Sequence, residues 1–126
     1  MMSQSAMKEA LQQYLDGFNN KDHDAVISLF ADDARVEDPV GGGQVLEGKS
    51  AIAPFYQSSV ASVEKLELAA PIRGSHGNAA AIAFMIYVEM EGKKVRIHCT
   101  DVMTFNEAGK IVDMKAYWGP EDIEFL

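Results

Sequence analysis

Between Ile82 and Phe105 the chain alternates apolar and polar residues through two stretches joined by Glu91-Gly92-Lys93. Ile82, Phe84, Ile86, Val88 and Met90 share one side of the first stretch; Val95, Ile97, Cys99, Met103 and Phe105 share one side of the second. A period of two on both sides of a short turn predicts a β-hairpin with one face on a core. The rest of the chain must therefore supply a layer that covers that face. One residue breaks the apolar row, because Asp101 falls in its middle. Asp is among the residues least often fully buried, and an unpaired buried carboxylate is so unfavourable that it usually takes up a proton instead. A strand that turns Asp101 inward needs a partner for it or a use.

The covering layer is legible near the N-terminus. Met7, Ala10, Leu11, Tyr14, Leu15 and Phe18 recur at steps of three and four, which predicts a helix with one buried stripe that includes Tyr14. After Asn19-Asn20-Lys21, Asp22 is placed to cap a second short helix that buries Ala25, Val26, Leu29 and Phe30 and ends near Ala31-Asp32-Asp33. In residues 34–38, Ala34, Val36 and Asp38 share one face of a strand, making Asp38 a second inward-leaning carboxyl. Pro39 stops regular pairing and Gly41-Gly42-Gly43 supplies a loose loop. Ser50 is placed to cap a third helix with Ile52, Phe55, Tyr56 and Val60, in which Pro54 is tolerated near the first turn. Leu66 and Leu68 begin the strands; a turn at residues 106–110 leads to a last strand whose apolar face is Val112, Met114, Ala116 and Trp118. Helices followed by an antiparallel meander predict an α+β domain, with the helices on one concave face of the sheet.

A chain of 126 residues is the size of one domain with one core, so residues 1–126 are read as a single unit. No apolar run approaches the roughly 18 residues of a membrane span, and 48% hydrophobic with 24% charged residues is ordinary for a soluble chain, so no membrane insertion is expected. The first residues lack the pattern of an export signal and Cys99 is the one cysteine, which together point to the reducing cytoplasm. A net charge of -8 without a basic stripe argues against nucleic-acid partners. His23, His76, His98 and Cys99 have no metal-ligand spacing, and there is no nucleophile elbow or phosphate-binding glycine motif, so neither a metal nor a nucleotide cofactor is expected.

Taken singly, Tyr14 reads as a core tyrosine and Asp38 as a turn residue before proline. Phe55, Phe84, Met114 and Trp118 read as core unless they line a cavity. Asp101 has fewer structural excuses, since a carboxyl in mid-strand on an apolar face is the kind of perturbed group that marks functional sites.

Four stretches, Leu29–Gly41 (LFADDARVEDPVG), Ala51–Gln57 (AIAPFYQ), Thr100–Phe105 (TDVMTF) and Met114–Gly119 (MKAYWG), occur in order and together with Tyr14. In these the chain resembles the Δ5-3-ketosteroid isomerases, within the wider group of NTF2-like cone-shaped α+β domains. The resemblance implies an apolar pocket for a steroid, a cofactor-free double-bond isomerisation and a homodimer. It implies Asp38 as the proton-shuttling base, Tyr14 and Asp101 as the donors that hold the substrate oxygen, and Tyr56 as a hydrogen-bonded support for Tyr14. Phe55, Phe84, Val88, Met114 and Trp118 match apolar wall positions. Some members have a further tyrosine where this chain has Phe30, so Tyr14 is expected to keep one such partner. The same scaffold hosts polyketide cyclases, epoxide hydrolases and non-catalytic binding or dimerisation modules. The epoxide hydrolases compared use a central arginine between two acids, whereas Arg35 and Arg96 fall on strand faces opposite their neighbouring acids.

Overall fold

The computed structural model describes residues 2–126. Helix α1 spans Gln4–Asn19, capped by Ser3, whose Oγ accepts from the Ala6 N–H at 3.1 Å, and it buries the stripe from Met7 to Phe18 that the periodicity predicts. Helix α2 is only His23–Ile27, with the Asp22 carboxylate accepting from the Ala25 N–H. The expected continuation through Leu29 and Phe30 does not form. Phe30 instead opens strand β1 (Phe30–Glu37), and the Leu29 carbonyl accepts from the Ile111 N–H at 2.8 Å. Sheet pairing thus takes residues whose apolar spacing alone fits a helix. Strand β2 (Val45–Glu47) pairs with β1. Helix α3 (Lys49–Ser62) starts after Gly48, at φ 86°, a left-handed conformation that glycine adopts without steric cost. Ser50 is therefore inside the first turn rather than its cap, and Pro54 lies exposed in the second turn, where it has no N–H to give the Ser50 carbonyl.

Strands β3 (Val63–Leu68), β4 (Ala79–Met90), β5 (Lys93–Phe105) and β6 (Ile111–Tyr117) form the expected antiparallel meander. Glu91 and Gly92 turn the β4–β5 hairpin with φ 52° and 79°, the two-residue geometry whose twist suits flanking strands. Met90 is exposed at that hairpin's end, past the cover of the helices. The sheet order is β2-β1-β6-β5-β4-β3, with a short last strand β7 (Ile123–Phe125) continuing beside β5. β1 runs parallel to β6, a pairing that a local reading of the sequence does not reveal. Irregular pairing between β5 and β6 buries Ile111 and leaves Val112 half-buried, so Ile111 takes the core position expected of Val112. The three helices pack on one face of this curved sheet, which is the α+β cone implied by the resemblance. No helix among the described residues is long and apolar enough to cross a membrane.

Strand β5 carries the feature that positions the site. Val95, Ile97, Cys99, Asp101, Met103 and Phe105 all face the core, and Asp101 is 2% exposed. It is the only Asp, Glu, Lys, Arg or His among the described residues that is buried.

Candidate active site

A cavity of about 330 Å³ opens between the helices and the concave side of the sheet, within the usual range of small-molecule sites. Its wall is largely apolar: Phe55 from α3, Phe84 and Val88 from β4 and Ile97 from β5 all line it. Tyr14, Tyr56, Asp38, Asp101 and Trp118 line the same cavity, so side chains from α1, α3, β4 and β5 and from the ends of β1 and β6 converge there. Met114, expected on the wall, does not line it. Met114 is paired with Met103 and Val36 across the centre of the sheet, and all three are buried in the core.

Tyr14 reaches the cavity from the buried stripe of α1, and its hydroxyl is hydrogen-bonded to that of Tyr56 at 3.0 Å. The Phe30 ring stands 5.2 Å from the Tyr56 ring, so an apolar residue backs the pair and the tyrosine network stops there. Burial, chiefly, and then the neighbouring Tyr56 and acid groups push the Tyr14 phenol well above its ordinary range. A phenol so placed remains an O–H donor.

Asp101 behaves in the same sense. Burial is the main cause that raises its carboxyl well above the ordinary carboxylate range, with the charge of Asp38 second; a hydrogen bond from the Cys99 thiol, with sulfur 3.3 Å from Oδ1, opposes the shift. A carboxyl shifted in this way favours the neutral form, which can donate.

Asp38 follows directly on β1 and is half-buried. The loose glycine loop that follows does not leave it fully open to water. Burial raises its carboxyl too, and only the Trp118 indole N–H, donating to Oδ1 at 2.9 Å, draws it back down. Trp118 is thus more than wall: it lies just past the end of β6 and stabilises the ionised form of the group beside it. The β1–β6 pairing, Glu37 beside Lys115, brings the two strand ends together. Two polar wall residues also escaped the sequence reading, Ser59 and Gln44. Gln44 stands next to Val45, the partner of Glu37 in the last β1–β2 pair, which returns the chain to the end of β1 that carries Asp38; without that register no local pattern identifies it.

No arginine lines the cavity. Arg35 is held outside it by Glu37 at 3.3 Å and Asp113 at 3.6 Å, and Arg96 pairs with Glu124 and Tyr87. Among the described residues no group of three or more His, Cys, Asp or Glu is arranged to hold a metal ion. The arrangement sets a phenol and two carboxyls in a shared apolar space, the more deeply buried carboxyl being the one that most favours its proton.

A model of the SnoaL-like domain matches residues 11–114. The chain is 34% identical over 117 residues to a steroid Delta-isomerase of Nocardioides simplex, covering 93% of each protein. It is 25% identical over 126 residues to the epoxide hydrolase LasB of Streptomyces lasalocidi, covering 97% of this chain and 44% of LasB. Among solved structures it is similar to SalBIII, an epoxide hydrolase/cyclase-like enzyme described in pyran ring formation in the polyether salinomycin, with a TM-score of 0.88, 30% identity and full coverage of both chains.

Proposed function

We propose that this chain, which belongs to the SnoaL-like domain family, is a steroid Δ5-isomerase that converts 3-oxo-Δ5-steroids to their conjugated Δ4 isomers. The observation that carries this reading is the unequal setting of two acids on one apolar cavity: Asp38, half-buried and held by an indole N–H, and Asp101, sealed among apolar neighbours. The reaction removes a proton from the carbon between ketone and double bond and returns it two carbons along. Asp38 as carboxylate takes that proton and, by rotating about its side-chain bonds, gives it back. The dienolate formed between the two transfers carries its negative charge on the ketone oxygen. Tyr14 and Asp101 each donate one hydrogen bond to that oxygen, and both bonds strengthen as the charge develops, which lowers the barrier rather than merely tightening binding. Tyr56 fixes the Tyr14 hydroxyl, and Phe55, Phe84, Val88 and Trp118 pack against the rings.

The similarity to the N. simplex isomerase supports this reading. The similarity to SalBIII favours a second one, a ring-forming enzyme on the same scaffold; the lack of an arginine on the wall weighs against the epoxide-opening form of it. A non-catalytic binding module is the third. Conjugation of the enone creates a strong ultraviolet absorbance, so purified protein mixed with an unconjugated 3-oxo-Δ5-steroid is expected to raise it at once without added metal or cofactor. No rise above the uncatalysed rate, with ligand binding shown independently, removes the isomerase reading.

The outer face of the sheet, with Met85, Tyr87, Arg96, His98 and Val102 half-buried or exposed, mixes apolar and polar side chains as subunit interfaces do. We infer that it pairs two copies of the chain. Sedimentation at micromolar concentration is expected to give a dimer, and a strictly monomeric species rejects this.

A further inference from the structure

Cys99 and Asp101 lie two residues apart on β5, so both point into the same cavity. The thiol sulfur is 3.3 Å from Asp101 Oδ1, a donor distance for a sulfur group, and thiols are weak but real donors. Burial, above all, drives the Cys99 thiol far above the ordinary thiol range, with Asp101 adding to the shift; it therefore stays S–H. Among the described residues His23 Nδ1 is the one enclosed side-chain nitrogen or oxygen left without a partner. Asp101 Oδ2 also accepts no hydrogen bond yet is not enclosed in that way, so it keeps an opening, and the space beside it is the cavity that Asp101 lines.

A neutral carboxyl group has two oxygens of nearly equal proton affinity. If it is free to turn over, its proton faces a ligand only part of the time. A donor fixed at one oxygen removes that degeneracy, since an oxygen that accepts from a thiol is better left as the carbonyl end. We propose that Cys99 is a positioning residue: by donating to Oδ1 it holds Asp101 with the carbonyl end toward the strand and the acidic O–H, on Oδ2, toward the ligand oxygen. The catalytic consequence rests on the isomerase reading above, but the thiol–carboxyl contact does not. As charge grows on the ligand oxygen the Oδ2 proton is drawn toward it, Oδ1 becomes a better acceptor, and the thiol bond tightens in step.

The single cysteine makes this testable by infrared spectroscopy, because the whole chain contributes one S–H stretching band in a region free of other protein absorption. Asp101→Ala is expected to move that band to higher frequency, toward that of a free thiol. Binding of a phenolic steroid to the unaltered protein is expected to move it lower. A band that does not move in either experiment overturns the proposal whatever the enzymatic activity is. Kinetically, Cys99→Val keeps the volume without the donor and is expected to lower kcat about two- to tenfold, the range of one neutral hydrogen bond, with KM nearly unchanged; Cys99→Ser is expected to recover most of the loss. Cys99→Val with full kcat, or Cys99→Ser as slow as Cys99→Val at equal thermal stability, rejects a positioning role. If the band moves as expected while neither variant nor parent isomerises the steroid, the contact stands and the isomerase reading fails.

Discussion

Asp38→Asn is expected to reduce steroid isomerisation by more than the roughly 10²–10³-fold that the loss of one oxyanion donor costs, because in the proposed mechanism no other group on the cavity wall shuttles the proton. Asp101→Ala is expected to fall within that range, and Asp101→Asn to lose less than Asp101→Ala, since an amide still donates although it is less acidic. A residue needed as an anion is crippled equally by both changes, whereas a neutral donor is partly replaced by the amide. The pH profile carries the same distinction. Asp38 must be ionised to act, and its carboxyl is raised above the ordinary range, chiefly by burial. Activity is therefore expected to fall as pH drops through a value above the unperturbed Asp value of about 3.9. Kinetics of the three variants at several pH values check this, and Asp101→Asn as inactive as Asp38→Asn in a normally folded protein rejects the division of roles.

The second large effect is on stability and needs no substrate. The folded-state pKa of Asp101 is raised by burial, while in the unfolded chain it is near the unperturbed value of about 3.9. Below that value both states hold the proton and Asp101 carries no penalty. Between it and the folded-state pKa the unfolded chain has released a proton that the folded protein keeps. Each pH unit in that window shifts the folding equilibrium about tenfold toward the unfolded state. Asp101→Asn removes this dependence. The variant is expected to gain on the parent protein steadily as pH rises above about 4, as measured by urea denaturation at matched pH values. A stability difference that stays constant with pH means that Asp101 ionises in the folded protein as it does in the unfolded chain. A gain would also show that the acid is kept at the expense of stability, the usual relation between active sites and their scaffolds.

Asp101 was legible because strand alternation is a strict period and Val95, Ile97, Cys99, Met103 and Phe105 fix its phase. Tyr14 was legible for the same reason at the helical period. What escaped depends on pairing between distant segments. Val45–Glu47 and Ile123–Phe125 are three-residue strands, too short to show a period, and only their pairing with residues 35–37 and 95–97 makes them strands. Phe30 carries apolar spacing that suits α2 as well as β1, and its pairing with Ile111 decides. Met114 and Trp118 share an apolar pattern in the sequence, but their depth along β6 separates them: one lies at the sheet centre, the other past its end. The Asp38–Trp118 hydrogen bond spans 80 residues and follows from a parallel neighbour that no local signal announces. The roles of Asp38, Tyr14 and the wall residues came from the family resemblance, not from spacing.

That same parallel contact orders events during synthesis. β1 leaves the ribosome early and β6 late, so the edge of β1 that later binds β6 waits, with β2 on its other side, while the segment between is made. Non-local pairings of this kind form slowly because the intervening chain must first be closed into a loop. The indole that partners the Asp38 carboxylate arrives only after β6 has docked. No nascent chain shorter than that therefore carries Asp38 with its indole partner, and if Asp38 is the base proposed above, the appearance of turnover in a refolding experiment would time the closing of the sheet rather than the early collapse of helices and hairpin.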